Sequence, residues 1–290
     1  MGIDYKSLKQ GGFMKQKQGD VFSVRLRVVG GKVTAEKLQK AAEVSQKYGQ
    51  GYVHLTARQS IEIPFIPYEA IDDVRKSLAE AGLSPAVCGA GVRTITACHG
   101  DSVCANGVVD TYAMAEEIDR RFRDRELPHK FKIGITGCAN NCLKAEENDL
   151  GIKGAVKVKW VKDKCIFCGA CAKACKHDAL KIDDGKIKIK ASKCVGCGKC
   201  AKVCPKKTIE SESGLKLYFG GLFGNQIQKG KNILPVITDE EAVYAVIDGT
   251  LAYFSRHADK GERFGRTLER IGWKEFSNKI KQVYTDALKA

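Results

Sequence analysis

No run of apolar residues approaches the roughly 20 needed to cross a bilayer, so no membrane span is expected. The opening MGIDYKSLKQGGFMKQKQGD lacks the apolar h-region of a signal peptide, and a cytoplasmic protein is expected. No low-complexity tract interrupts the 290 residues, 43% of them apolar, which allows one large core or two modest ones. No GxGxxG follows a strand-like segment, so no flavin or nicotinamide site is read in the chain. Acidic residues are few beside basic ones, 34 against 49, for a formal charge of +15. Alone, that excess invites a nucleic-acid reading; the cysteines redirect it.

Cysteine is what the chain has in plenty: Cys88, Cys98, Cys104, Cys138, Cys142, Cys165, Cys168, Cys171, Cys175, Cys194, Cys197, Cys200 and Cys204. A secreted disulfide scaffold would be shorter and carry a signal peptide. In a reducing compartment, thiols in short-spaced groups are read as metal ligands. Without Cys88, expected as a small buried residue, the remaining 12 make three sets of four.

Cys165, Cys168, Cys171 and Cys175 are spaced C-x2-C-x2-C-x3-C, and Cys194, Cys197, Cys200 and Cys204 repeat the spacing. Pro205 follows the second run, while Lys176 stands where proline is usual in the first. In two-cluster ferredoxins the first three cysteines of a run bind one 4Fe–4S cluster and the fourth binds the other. One cluster is therefore expected on Cys165, Cys168, Cys171 and Cys204, the second on Cys194, Cys197, Cys200 and Cys175. Zinc ribbons instead set two C-x2-C pairs well apart. A third set, Cys98-x5-Cys104 with Cys138-x3-Cys142, has no ferredoxin spacing; a structural zinc or unligated core cysteines are its alternatives.

Residues 21–83 follow a βαββα rhythm. A strand over 21–29 puts Phe22, Val24, Leu26 and Val28 on one face and Ser23, Arg25 and Arg27 on the other. Thr34 caps a helix to about Tyr48, with Leu38, Ala41, Ala42 and Val44 inward. Strands follow over 52–56 and 61–65, then a helix from about Tyr68 to Ala81 that buries Ile71, Val74 and Leu78. Further on, a helix is expected over 112–125, strands over 131–136 and 215–219, a glycine-rich turn over 220–224, and helices near 239–257 and 264–288. The cysteine-dense 159–210 looks inserted into a larger domain.

At the third cysteine set a family resemblance becomes specific. C-x5-C followed by C-x3-C resembles the cluster signature of the siroheme sulfite and nitrite reductases, with GCANNC as its second half. Thr56-Ala57-Arg58-Gln59, Gly91-Val92-Arg93-Thr94 and Leu127-Pro128-His129-Lys130-Phe131-Lys132 resemble that family's T-x-R-Q, arginine and L-P-x-K-F-K motifs. The resemblance runs over about 20–278, and the inserted module with the terminal GERFGRTLERIGW is most like the small siroheme subunit of anaerobic sulfite reductase. It implies an α+β fold: a ferredoxin-like βαββα half domain over 1–86, a siroheme and 4Fe–4S domain over 87–158 and 211–290, and an inserted double-cluster ferredoxin domain over 159–210. It implies siroheme and three 4Fe–4S clusters, with Cys142 shared between the third cluster and the siroheme iron. Arg58, Arg93, Lys130 and Lys132 are implied to surround sulfite or nitrite on the open face of the siroheme.

Arg25 and Arg27 are candidates for siroheme carboxylates, with a plain polar sheet face as the alternative. His99 lies inside the C-x5-C loop and is a weaker candidate for proton donation.

Three oxidised clusters bring about −6, and siroheme adds on the order of −8 with its carboxylates ionised. The excess of lysine and arginine is then charge compensation for anionic cofactors and substrate, and no nucleic-acid partner is expected. Electrons must come from another protein, a flavin and iron–sulfur subunit or a free ferredoxin, that meets any leftover positive surface. Larger relatives carry two tandem copies of the unit. With one copy here a homo-oligomer or hetero-oligomeric complex is expected, in which the basic residues of one chain face the siroheme held by Cys142 of another.

Overall fold

The computed structural model describes residues 3–86, 88–183 and 185–289. Its first unit opens with a short helix α1 (Tyr5–Gln10), capped by the Asp4 carboxylate, and strands β1 (Phe13–Lys15) and β2 (Val21–Arg25). Helix α2 (Ala35–Tyr48), strands β3 (His54–Leu55) and β4 (Ile61–Pro67), and helix α3 (Ile71–Glu80) complete it. The sheet order is β1-β2-β4-β3, antiparallel throughout. Phe22, Val24, Leu26 and Val28 are all buried and pack against Val44, Ile71, Val74 and Leu78 of the two helices.

Three local expectations are corrected. The first long strand ends at Arg25, because Leu26 bridges to Pro85 and a 3-10 turn at Val29–Gly31 follows, with Gly30 at φ 63°. Leu38 is 42% exposed and Ala42 is exposed as well. The inner face of α2 is instead Ala41, Val44 and Ser45, whose hydroxyl donates to the Tyr52 carbonyl at 2.6 Å.

The central unit begins with β5 (Gly91–Val92), β6 (Thr96–Ala97) and helix α4 (Thr111–Phe122). Strands β7 (Lys130–Phe131), β8 (Ile133–Thr136) and the 11-residue β9 (Leu150–Trp160) follow. Beyond β9 come α5 (Ala170–Ala174), the hairpin β10 (Leu180–Asp183) and β11 (Lys186–Ile189), and α6 (Lys199–Lys202). The chain returns along β12 (Ile209–Phe219), which pairs with β9 residue for residue from Trp160↔Ile209 to Leu150↔Phe219. The cysteine-rich segment is thus clasped between the two arms of one long hairpin.

The second sheet has the order β12-β9-β8-β6, with β6, β8 and β9 parallel. A small hairpin, β13 (Leu222–Phe223) and β14 (Ile227–Gln228), precedes α7 (Glu240–His257), α8 (Phe264–Ile271) and α9 (Trp273–Ala287). The helix expected over 264–288 is two helices, broken at Gly272, where φ is 109°. Their apolar faces and that of α4 share one core with the sheet, built around Phe131, Phe219, Phe254, Phe264 and Phe276. No helix among the described residues is long and apolar enough to cross a membrane.

Candidate active site and cluster sites

Cys98 and Cys138 leave neighbouring parallel strands at the same end, because β6 and β8 pair Ala97 with Ile135. The Cys98 N–H donates to the Ile135 carbonyl at 3.1 Å, and the Gly137 N–H donates to Cys98 Sγ at 3.1 Å. Between Cys98 and Cys104 the chain turns in a 3-10 helix over Gly100–Ser102. Cys138 and Cys142 flank a loop with Asn141 at φ 55°, whose side chain accepts from the Ala145 N–H at 2.9 Å. The two cysteine loops meet backbone to backbone: a Cβ on Gly137 would lie 2.6 Å from Gly100 Cα, and one on Gly154 2.3 Å from the Gly137 carbonyl. The close glycine contacts and the Gly137 amide aimed at Cys98 sulfur are the surroundings expected beside a four-thiolate iron–sulfur cube, with Cys104 and Cys142 at the surface of their loops.

In the inserted segment Cys165, Cys168, Cys171 and Cys204 line one small pocket. Cys175, Cys194, Cys197 and Cys200 line a second. Each space takes three cysteines from one run and the last from the other, the interlock of a two-cluster ferredoxin. The second space is stitched to the long hairpin: the Val156 N–H donates to the Gly196 carbonyl at 2.7 Å, and Lys216 Nζ to the Cys194 carbonyl at 3.0 Å. The first lies at the hairpin's far end, where the Phe167 ring meets Trp160 at 6.2 Å.

The basic residues come from three segments of the chain. Arg58 sits in the β3–β4 turn, and its guanidinium donates to the Thr94 carbonyl at 2.9 Å and to Asn148 Oδ1 at 3.3 Å. Gln59, next to it, exchanges two hydrogen bonds with the backbone of Ala97, of 2.8 and 2.9 Å, and ties that turn to β6. Parallel pairing of β5 with β7 places Gly91 beside Lys130, and the Arg93 N–H donates to the Phe131 carbonyl at 2.9 Å. Arg58 and Lys132 line one open cavity with Leu143 and Lys144, the two residues that follow Cys142. Arg93 and Lys130 are not among its lining residues. All of this lies within a single chain, so a second chain is not needed to bring Arg58 and Lys132 beside the Cys142 loop.

Burial and mutual repulsion destabilise the charged forms here. Burial, helped by Arg58 and Arg263, brings Lys132 down to about 8. Burial, then Arg93, brings Arg58 down to about 10. Lys130 and His129 are also lowered, first by burial and then by neighbouring cations. Such a concentration of poorly hydrated positive charge suits an anionic ligand.

One counter-charge holds the cluster together. Asp149 is wholly buried; it accepts from Arg263 at 2.8 Å and from the Lys132 backbone N–H at 2.8 Å. Neither Asp149 nor Arg263 stands out in the sequence, although Arg263 lies in GERFG and Asp149 closes the polar run Glu146-Glu147-Asn148-Asp149 just before an apolar strand.

Arg25 and Arg27 each have a carboxylate partner inside the chain. Arg25 Nε donates to Glu62 at 2.9 Å and Arg27 Nε to Asp119 at 3.0 Å. Cys88 is buried, 3.6 Å from an Arg93 nitrogen. His99 Nδ1 lies 2.6 Å from the Tyr112 hydroxyl. At the 220–224 turn, a Cβ on Gly221 would lie 2.2 Å from the Glu146 carbonyl, so this glycine serves close packing on the loop beneath.

Residues 88–288 match the nitrite and sulphite reductase 4Fe–4S domain, and residues 14–81 the nitrite/sulfite reductase ferredoxin-like half domain. The chain is 33% identical over 283 residues to the coenzyme F420-dependent sulfite reductase of Methanocaldococcus jannaschii, covering 96% of this chain and 45% of that protein. It is 35% identical over 180 residues to one subunit of the anaerobic sulfite reductase of Salmonella typhimurium, covering 56% of this chain and 53% of the other. The chain thus spans about half the length of these two relatives. Among solved structures, dissimilatory sulfite reductase I superposes with a TM-score of 0.72 at 20% identity, over 91% of this chain and 69% of that one, a likeness of fold. With both domain types in register and four cysteines on the loops of β6 and β8, the chain belongs to the nitrite and sulphite reductase family of siroheme-type iron–sulfur oxidoreductases.

Proposed function

We propose that the chain is the catalytic unit of a sulfite reductase that takes sulfite to sulfide with six electrons. The observation that carries this reading is the meeting of Arg58 and Lys132 with the loop after Cys142 around one cavity. Cys98, Cys104, Cys138 and Cys142 would hold a 4Fe–4S cluster, with Cys142 shared by siroheme, and the two four-cysteine cavities would hold two more clusters. Siroheme and its linked cluster, when bound, would relay electrons from the external donor and provide the metal for the reduction of sulfite.

The chain's own residues do the rest. Arg58, held by Thr94 and Asn148, draws in the anion and fixes its oxygens, and Arg93 adds positive charge nearby. Lys132, with its ammonium near 8, is charged at neutral pH yet able to give a proton to an oxygen departing as water. Lys130 adds charge beside it. Asp149 and Arg263 keep the Lys132 backbone in place.

We read the domains as 1–86, an inserted 159–210 and the remainder, a reading supported by the grouping of the buried apolar residues into three clusters. Electrons would be delivered by a separate protein, in a complex or by encounter. Nitrite is the second reading, favoured by the family's own description, because it too needs six electrons and a cationic pocket. Anaerobic purification with iron, sulfide and siroheme quantitation, followed by steady-state rates with both anions, tests the assignment. About twelve cluster irons and one siroheme iron per chain are expected. A preparation without siroheme absorption reduces the chain to an electron carrier.

A further inference from the structure

Strand β9 orders the three four-cysteine sites. Gly154 lies against the Gly137 carbonyl, next to Cys138. Two residues on, Val156 bonds Gly196, next to Cys197. At the strand's end, Trp160 packs on Phe167, next to Cys168. At about 3.3 Å per residue, the span from Gly154 to Trp160 is roughly 20 Å. The site of Cys165, Cys168, Cys171 and Cys204 is therefore farthest from the basic cavity, and the site of Cys175, Cys194, Cys197 and Cys200 stands between.

That outermost site is also the most open. Cys168 is the one exposed cysteine of the eight in the inserted segment. Beside it Ile166 is 58% and Phe167 37% exposed, and Val203, next to Cys204, is 43% exposed. Lys162, Lys164, Lys202 and Lys206 are all exposed around them. Residues 159–210 contain 14 lysines against 5 acidic residues, a net +9 out of the chain's +15. Two clusters of about −2 each would still leave this segment near +5, so the rim stays positive. An apolar centre ringed by lysines is the complement of a protein surface with an apolar patch and a carboxylate rim.

We propose that this face, centred on Ile166, Phe167 and Val203 and rimmed by Lys162, Lys164, Lys202 and Lys206, docks an acidic electron-carrier protein and is the point of electron entry. The proposal rests on the reductase reading above and adds the entry point and direction. Each encounter moves one electron: the reduced carrier is oxidised by one and the enzyme is reduced by one.

The test uses the loaded full-length protein under anaerobic conditions, with an acidic 2Fe–2S ferredoxin as probe. Its Kd is expected to weaken as salt rises from about 50 to 300 mM. The triple variant Lys162→Glu, Lys164→Glu, Lys202→Glu is expected to weaken Kd by about tenfold or more, and Val203→Ser by severalfold. A charge-matched triple on the N-terminal unit, Lys17→Glu, Lys47→Glu, Lys76→Glu, is expected to leave Kd within about twofold. Iron content and the rate with reduced methyl viologen, which needs no docking face, stay at wild-type values in every variant. The proposal is overturned if the first triple binds like wild type, or if the matched triple weakens binding as much. Absence of viologen-driven turnover in the wild type would refute the reductase reading instead, and Kd would still decide the docking face.

Discussion

Lys132 is the residue on which pH should act. Its side chain loses its charge as pH passes about 8, so below that pH the pocket has its full cationic set and above it one cation fewer. KM for sulfite is expected to rise above pH 8, and steady-state profiles should show Lys132→Arg without that rise, since a guanidinium stays protonated. Lys132→Met should lower kcat/KM by about 100-fold and abolish the pH step, from lost proton donation and lost anion binding. The buried Asp149–Arg263 pair makes a different prediction. Asp149→Asn leaves a guanidinium inside the protein without its counter-charge, at a cost of about 3 kcal/mol in denaturant unfolding. Arg58, Arg93, Lys130 and Lys132 were legible from short motifs; Asp149 and Arg263 were not, because their 114-residue separation hides a pair that only folding brings together.

At the scale of elements, the cluster loops depend on backbone contact. Gly137 and Gly100 sit where two loops cross, and any side chain at 137 must push them apart. Gly137→Val is expected to remove about four of the twelve cluster irons while the signals of the inserted clusters persist, as iron analysis and low-temperature EPR would show. Periodicity carried the elements of the first unit well: Ile71, Val74 and Leu78 are the buried face of α3, as spaced. It failed on α2, where Ser45 is inside because its hydroxyl has a carbonyl partner, and Leu38 is outside because α2 turns only a narrow stripe to the sheet. Which apolar residue loses its place inside is a packing outcome, and no local pattern holds it.

For the molecule as a whole, the long β9–β12 hairpin makes the inserted segment separable. Its last bond runs from the Val161 N–H to the Thr208 carbonyl at 2.8 Å, so residues 162–207 can be replaced by an Asn-Gly turn. The shortened protein is expected to keep siroheme and one cluster, lose about eight irons, and still reduce sulfite with reduced viologen, while turnover driven by a protein donor disappears. Taken alone, the sequence pointed to the family and its chemistry: the two ferredoxin-type cysteine runs suggest cluster ligands by their spacing, and the Arg and Lys motifs suggest an anion site by their resemblance to the family's. Tertiary structure decided how those parts are arranged. The sharing of Arg58 and Lys132 with the Cys142 loop, the buried carboxylate beneath them and the ranking of three cysteine sites along β9 all depend on strand pairing between distant segments. That pairing is settled by burial of a common core, and no stretch of chain encodes it locally.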